Sequence, residues 1–340
     1  MSDNRIASFE AGRLIALLGV IAIHSQLFMT APLINGEPWL GLLINQLSRF
    51  AVPLFFILAG YFIAPKLVAL PTSTLKQYSL PLLKVWLVWS VIFFLVPFNL
   101  QLAFESGYLA ERSGYWQYLL SQPLNTLFEG SLVHLWYIPG LVCGLLVITA
   151  CCYTKKLNLI LPVAIALYLF GLAAGSYAPL TDIESPLFTR NGPFMSTLML
   201  TIGFLIRQKD WQLSFSKAFM LALIGMGMHL AEALYLTRYD VPFNMHDFLI
   251  GTPLWATGVF FMLKQRPQFG QTMAKLNISK HVLGIYLIHL LIIIYLMRLL
   301  PMLGFTGYAN DILRFVLTCI ISYGLVALID KTPLRNWLLR

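Results

Sequence analysis

Ten separate apolar stretches, each long enough or nearly so to cross roughly 30 Å of hydrocarbon, constrain this chain more than any other feature. They run 13–33, 40–64, 80–104, 131–153, 157–176, 193–207, 216–237, 247–263, 281–300 and 308–329. In lipid the backbone has to satisfy its own polar groups, so stretches of this length fold as helices. Composition agrees: 59% of the 340 residues are hydrophobic and 11% are charged, against about 25% charged in soluble domains. A soluble fold has nowhere to hide that much apolar surface. The expected fold is an all-α membrane protein of about ten transmembrane helices. The sixth and eighth stretches are short for the task.

Charge tests the count. With the N-terminus inside and the spans alternating, all eleven lysines (Lys66, Lys76, Lys84, Lys155, Lys156, Lys209, Lys217, Lys264, Lys275, Lys280 and Lys331) fall on the cytoplasmic side. The outer side carries Arg112, Arg190, Arg238, Arg298 and Arg314, and most of the acids. Lysine and arginine bias sets orientation, and one missed span would scramble the split. An even number of spans and two cytoplasmic termini follow. The net charge of +9 is spread over short loops, so it reads as topology rather than as a nucleic-acid surface. The first apolar run has no cleavage pattern behind it and is expected to stay as a mature helix. Residues 1–340 are expected to form one membrane domain, in contact with membrane lipids. Tyr115, Trp116 and Tyr118 in the outer loop 105–130 suit the headgroup layer and an interfacial helix. Cys143, Cys151, Cys152 and Cys319 lack zinc-ligand spacing, and no metal is expected.

An ionisable side chain inside the bilayer is costly, so each one is a candidate for function. The candidates are His24, Arg49, His134, His229, Glu232 and His289, with Arg13 at the inner mouth of the first span and Glu10 just before it. Arg13 and His24 are eleven positions apart, a rise of about 16 Å and close to three whole turns. They share one helix face. An arginine at the surface can hold an anion such as a phosphate, and a histidine deeper on that face can accept a proton. The plainer readings are a positive-inside anchor for Arg13 and a satisfied core histidine for His24. Arg49 would lie ~13 Å into the second span and His289 ~12 Å into the ninth. Arg49 is expected to face the interior, with a structural tie as the plainer reading. Pro53, one turn deeper, would loosen that helix and free carbonyls. His134, Trp136 and Tyr137 could be interfacial residues, and His289 could make an interhelical bond. His229 and Glu232, three apart, could pair with each other.

Four segments resemble the acyltransferase 3 family of integral membrane proteins. The stretch Glu10-Ala-Gly-Arg13 followed by His24 is similar to the family's acidic-x-x-Arg-x10-His opening, with Glu where the family more often has Asp. The segment from Ser48-Arg49 through Pro53-Leu54-Phe55-Phe56 to Gly60-Tyr61 resembles its second-helix stretch. His134-Leu-Trp136-Tyr137 and Gly284-Ile-Tyr286-Leu-Ile-His289 follow in the family's order. Residues 155–280 match nothing in the pattern. In size the chain is similar to cell-surface polysaccharide acetyltransferases such as the enterobacterial common antigen enzyme.

The resemblance implies an O-acyltransferase of the cell inner membrane, multi-pass, moving an acetyl or other short acyl group. The donor would be cytoplasmic acetyl-CoA, and the acceptor a hydroxyl of a periplasm-facing glycan or lipid-linked saccharide. His24 would be the general base, with Glu10, Arg13 and Arg49 as its catalytic partners. The donor phosphates and pantetheine arm would meet Arg13, Lys66, Lys84, Tyr286 and His289. The acceptor would meet His134, Trp136 and Tyr137. A polytopic secondary transporter of a small solute also suits interior His and Arg and the intraspan prolines Pro53, Pro139 and Pro253, although no repeat symmetry supports it. A flippase or assembly scaffold is a third reading.

Overall fold

The structure, a computed structural model, describes residues 6–275 and 277–340. It is all-α, and among the described residues there is no strand. The helices are α1 Ala7–His24, α2 Trp39–Leu47, α3 Ala51–Ala69, α4 Pro71–Leu95, α5 Leu100–Ser106, α6 Tyr108–Ser121, α7 Pro123–Glu129, α8 Tyr137–Tyr153 and α9 Ile160–Ala173. They continue with α10 Ala178–Thr181, α11 Phe194–Gln208, α12 Phe215–Leu236, α13 Gly251–Gln265, α14 Gln271–Lys275, α15 Val282–Met302, α16 Gly307–Ile329 and α17 Arg335–Leu338. A helix overlaps each of the ten apolar stretches. By length and composition, seven helical segments among the described residues can cross a membrane, the second of them being α2 and α3 taken together. The remaining three, α9, α11 and α13, have only 14, 15 and 15 residues, or about 22 Å of rise.

Two expected boundaries shift. The first helix is Ala7–His24 rather than 13–33. Arg13 therefore lies nearly two turns inside it, and His24 is its last residue. Hydropathy discounted the turn that holds Glu10 and credited the apolar residues after 24. In the structure Glu10 is buried, at 8% exposure, and the chain turns just after His24 through left-handed Gln26 and Phe28. The third helix is Pro71–Leu95 rather than 80–104. Its first turns carry Lys76 and other polar residues, which hydropathy excluded, and residues 100–106 form the separate helix α5.

The second stretch is broken into α2 and α3 at 48–50. Proline lacks an N–H, and its ring crowds the carbonyl four residues earlier. Pro53 therefore weakens a continuous helix at Arg49, and the break falls there, whereas Pro65 and Pro81 are carried inside α3 and α4. Ser48 Oγ donates to the Ile44 carbonyl at 2.8 Å on the α2 side.

Helix ends sort onto two faces. On one, Ser8 N–H meets the Pro267 carbonyl at 3.2 Å, Lys84 the Asn336 carbonyl at 3.1 Å, and Lys280 the Asp330 carboxylate at 2.9 Å. On the other, Arg314 meets the Ser25 carbonyl at 2.6 Å and Tyr295 the Pro97 carbonyl at 2.9 Å. The loop 105–130 folds as α6 and α7 on that second face. Arg112, wholly buried, donates to the carbonyls of Phe93 and Phe94 at 3.1 and 3.2 Å. It satisfies carbonyls that the end of α4 leaves open. Helices α3 and α11 approach so closely that a Cβ on Gly60 or Gly203 would strike the backbone of the other helix, the small-residue packing expected where lipid supplies no hydrophobic drive.

Candidate active site

Three histidines far apart in sequence converge. His24 ends α1, His134 sits in the 3-10 turn Val133–Trp136, and His289 lies on the buried face of α15. Ring centroids are 5.3 Å apart for His24 and His289, 5.1 Å for His134 and His289, and 6.4 Å for His24 and His134. The hydrogen bonds define which nitrogens remain available. His134 Nε2 donates to the Leu287 carbonyl at 3.0 Å, and His289 Nδ1 donates to the Tyr286 carbonyl at 2.6 Å. Each neutral ring therefore keeps a lone pair on its other nitrogen, and both of those nitrogens, His134 Nδ1 and His289 Nε2, are buried without a partner. The Tyr286 hydroxyl donates to the His134 carbonyl and fixes the turn. Among the described residues no set of three His, Cys, Asp or Glu side chains is placed to hold a metal ion.

Two cavities flank the cluster. One, of about 230 Å³, is lined by Arg13, Tyr78, Tyr137, Ser279, Tyr286 and Arg340 among others. The second, of about 100 Å³, is lined by His24, Arg49, Trp136, Arg190 and Asp247 among others. Val20 and Val52 line both. Positions 13, 20 and 24 are spaced i, i+7, i+11 along α1, the spacing of one helix face. The shared face of Arg13 and His24 thus becomes a wall running from one cavity to the other.

The second cavity is bordered by a chain of ion pairs. Arg49 donates to Asp247 at 2.6 Å, Arg190 donates to the other oxygen of Asp247 at 3.2 Å, and Arg190 also reaches Glu129 at 2.6 Å. Arg49 further holds the Asn45 side chain at 3.1 Å and the Asn244 carbonyl at 2.7 Å. Burial alone would raise the Asp247 carboxyl, but the guanidiniums of Arg190 and Arg49 hold it below the usual carboxylate range. Burial opposes the charge on Arg190 too, and Asp247 and Glu129 more than restore it.

The remaining candidates are distributed as follows. Glu10 is buried in the first turn of α1. Tyr137 lines the cavity of Arg13, apart from Trp136, which lines that of His24. Lys66 is exposed and lines neither cavity. Lys84 lies over the Trp337 ring at 4.0 Å, in a surface cleft that shares Arg340 with the Arg13 cavity. His229 and Glu232 do not pair. His229 bridges Thr252 and Gln46, both at 2.8 Å, and Glu232 accepts from the N–H groups of Ile250 and Gly251 at the start of α13. On a helix they point to different neighbours, and unsatisfied backbone N–H groups at a helix start draw the carboxylate. Sequence reasoning missed Asp247 and Glu129 as site residues and read Arg190 only as a topology charge. All three lie in loops or at helix ends.

The acyltransferase domain of the acyltransferase 3 family matches residues 6–331. The chain belongs to that family. It is also 30% identical over 259 residues to a serine/alanine racemase of Enterococcus gallinarum, covering 69% of this chain and 34% of that protein. It is 26% identical over 353 residues to an amino-acid racemase of Enterococcus faecalis, covering 96% of this chain and 46% of that protein. The chain therefore spans less than half the length of these curated relatives. No solved structure matches it.

Proposed function

We propose that this membrane acyltransferase moves an acetyl or other short acyl group from cytoplasmic acyl-CoA to a hydroxyl of a periplasm-facing glycan or lipid-linked saccharide, in the cell inner membrane. The observation that carries this reading is that His24 lines one of two cavities that share the wall of Val20 and Val52. The cavity of Arg13 and Arg340 belongs to the face that carries Lys84, Lys264 and Lys280, which the lysine bias makes cytoplasmic. Its guanidiniums suit the donor phosphates. The cavity of Trp136, Arg190 and Asp247 suits a polar acceptor.

The chemistry follows from this arrangement. The His24 ring nitrogen takes the proton as the acceptor oxygen forms its bond to the thioester carbonyl carbon. The carbonyl oxygen becomes an oxyanion, for which Arg49 is the nearby cation lining the same cavity. Collapse of that intermediate breaks the carbon–sulfur bond. The proton on His24 then goes to the departing thiolate, so CoA leaves as a thiol. The racemase names of the relatives are not extended to this chain, which matches 34% and 46% of those proteins.

Purified protein should transfer label from acetyl-CoA to lipid-linked saccharides extracted from bacterial membranes. His24→Ala should abolish transfer with membrane insertion unchanged. Full transfer by that variant would remove His24 from the chemistry, and solute uptake into vesicles with no thioester consumed would favour a transporter.

A further inference from the structure

Arg49 and Arg190 each spend both terminal nitrogens on protein groups. Arg49 gives one to Asp247 and the other to Asn45 and the Asn244 carbonyl. Arg190 gives one to Asp247 and the other to Glu129. In each case the Nε–H is left over, buried and without a partner. A buried donor without an acceptor is costly, so two of them on residues that line one cavity call for an explanation. Both residues line the cavity of His24, and so does Asp247, the carboxylate between them. The Trp136 indole lines the same space.

Charge narrows what could satisfy these donors. Arg49 and Arg190 carry two positive charges, and Asp247 and Glu129 carry two negative charges, in direct contact. The cluster is neutral as a unit. A site for a phosphate or a carboxylate would leave a positive surplus, and here none remains. What the cluster sets in the wall of the cavity is two buried N–H donors without partners next to a partly exposed carboxylate, whose side chain is 29% accessible. Donors and an acceptor side by side, with an aromatic side chain lining the same cavity, suit the hydroxyl groups of an uncharged sugar.

We propose that Arg190, held by Asp247 and Glu129, is a recognition residue for a neutral polyhydroxyl acceptor, binding it beside the hydroxyl that His24 deprotonates. This rests on the acyl-transfer reading and extends it to the acceptor's chemical class. Asp247 and Glu129 are positioning residues that fix both guanidiniums.

The test uses full-length protein in detergent, labelled acetyl-CoA, and a membrane saccharide-lipid extract split by anion exchange into neutral and acidic pools. Wild type should label the neutral pool. Arg190→Met should raise the extract concentration for half-maximal rate about tenfold or more, with the half-saturating acetyl-CoA concentration unchanged. Because Arg190→Met strands the Glu129 carboxylate, while Asp247 keeps Arg49, the paired variant Glu129→Gln/Arg190→Met is measured as well, and its elution as a folded species is checked by size exclusion. It should show the same acceptor-only defect. Labelling confined to the acidic pool, a defect in donor saturation, or unchanged acceptor saturation in the paired variant would each overturn the proposal. If wild type labels its acceptor and His24→Ala does not, such a result leaves the acyl-transfer reading standing. If wild type labels nothing, both fall.

Discussion

The tautomers at the histidine cluster give His289 a role that its sequence position did not. Its Nδ1 is committed to the Tyr286 carbonyl, and its Nε2 lies buried with no protein partner in a ring 5.3 Å from His24. An imidazole so placed can orient His24 or the thiol end of the donor. His289→Asn keeps an N–H donor close to the Nδ1 position and removes the second nitrogen. We expect a fall in kcat of about a hundredfold, the low end of what one acid–base group contributes, and wild-type yield in the membrane. Steady-state kinetics beside a thermal melt checks this. Unchanged kcat would reduce His289 to an interhelical tie. His24, His134 and His289 were legible in the sequence because ionisable residues stand out in apolar runs. Arg190 and Asp247 were not, because their neighbours are loop residues in which charge is unremarkable. Only the folded chain shows that those loops turn inward.

At the scale of elements, the short helices and the site have one cause. Hydropathy left spans six and eight short, and α11 and α13 have 15 residues each. The residues just before them, 182–193 and 240–250, are largely non-helical and bring Arg190 and Asp247 to the second cavity. Irregular backbone inside a membrane protein is tolerated where protein or a polar cavity covers it. Helix ends therefore surround His24: α1 stops at it, α2 and α3 break beside Arg49, and α11 and α13 begin late. The turn after His24 is pinned by α16. Arg314 donates to the Ser25 carbonyl at 2.6 Å and to Asp311 at 3.0 Å, while Asp311 accepts from the backbone and hydroxyl of Thr30 at 3.0 and 2.8 Å. Asp311 is fully buried. Arg314→Met strands that carboxylate, a loss of about 3–5 kcal/mol, and should lower the unfolding temperature in detergent. Adding Asp311→Asn removes the stranded charge and should recover much of the loss. A double variant no more stable than the single one would show that the pair does not work as a unit.

Across the whole molecule, the two cavities make sense only as one path. A donor kept on one face and an acceptor on the other can react only where the walls between them thin out. In this fold that place is Val20 and Val52, which border both cavities. The histidine-bearing helix supplies Val20, and the broken helix supplies Val52. Val20 is 3% exposed, so it is packed on its remaining sides. A larger apolar residue there costs about 1–3 kcal/mol of overpacking, and the two cavities that Val20 borders offer room for part of its extra volume. Val20→Phe should therefore leave acetyl-CoA able to protect the protein against heat, since Arg13 and Arg340 are untouched. Transfer to the acceptor should fall on the order of a hundredfold, as it does when reacting groups are held about 1 Å too far apart. Protection is measured by thermal melt with and without acetyl-CoA, and transfer by label in the saccharide pool. Transfer at the wild-type rate would mean that donor and acceptor meet somewhere other than at this wall. Loss of protection would instead place the residue in the donor site itself.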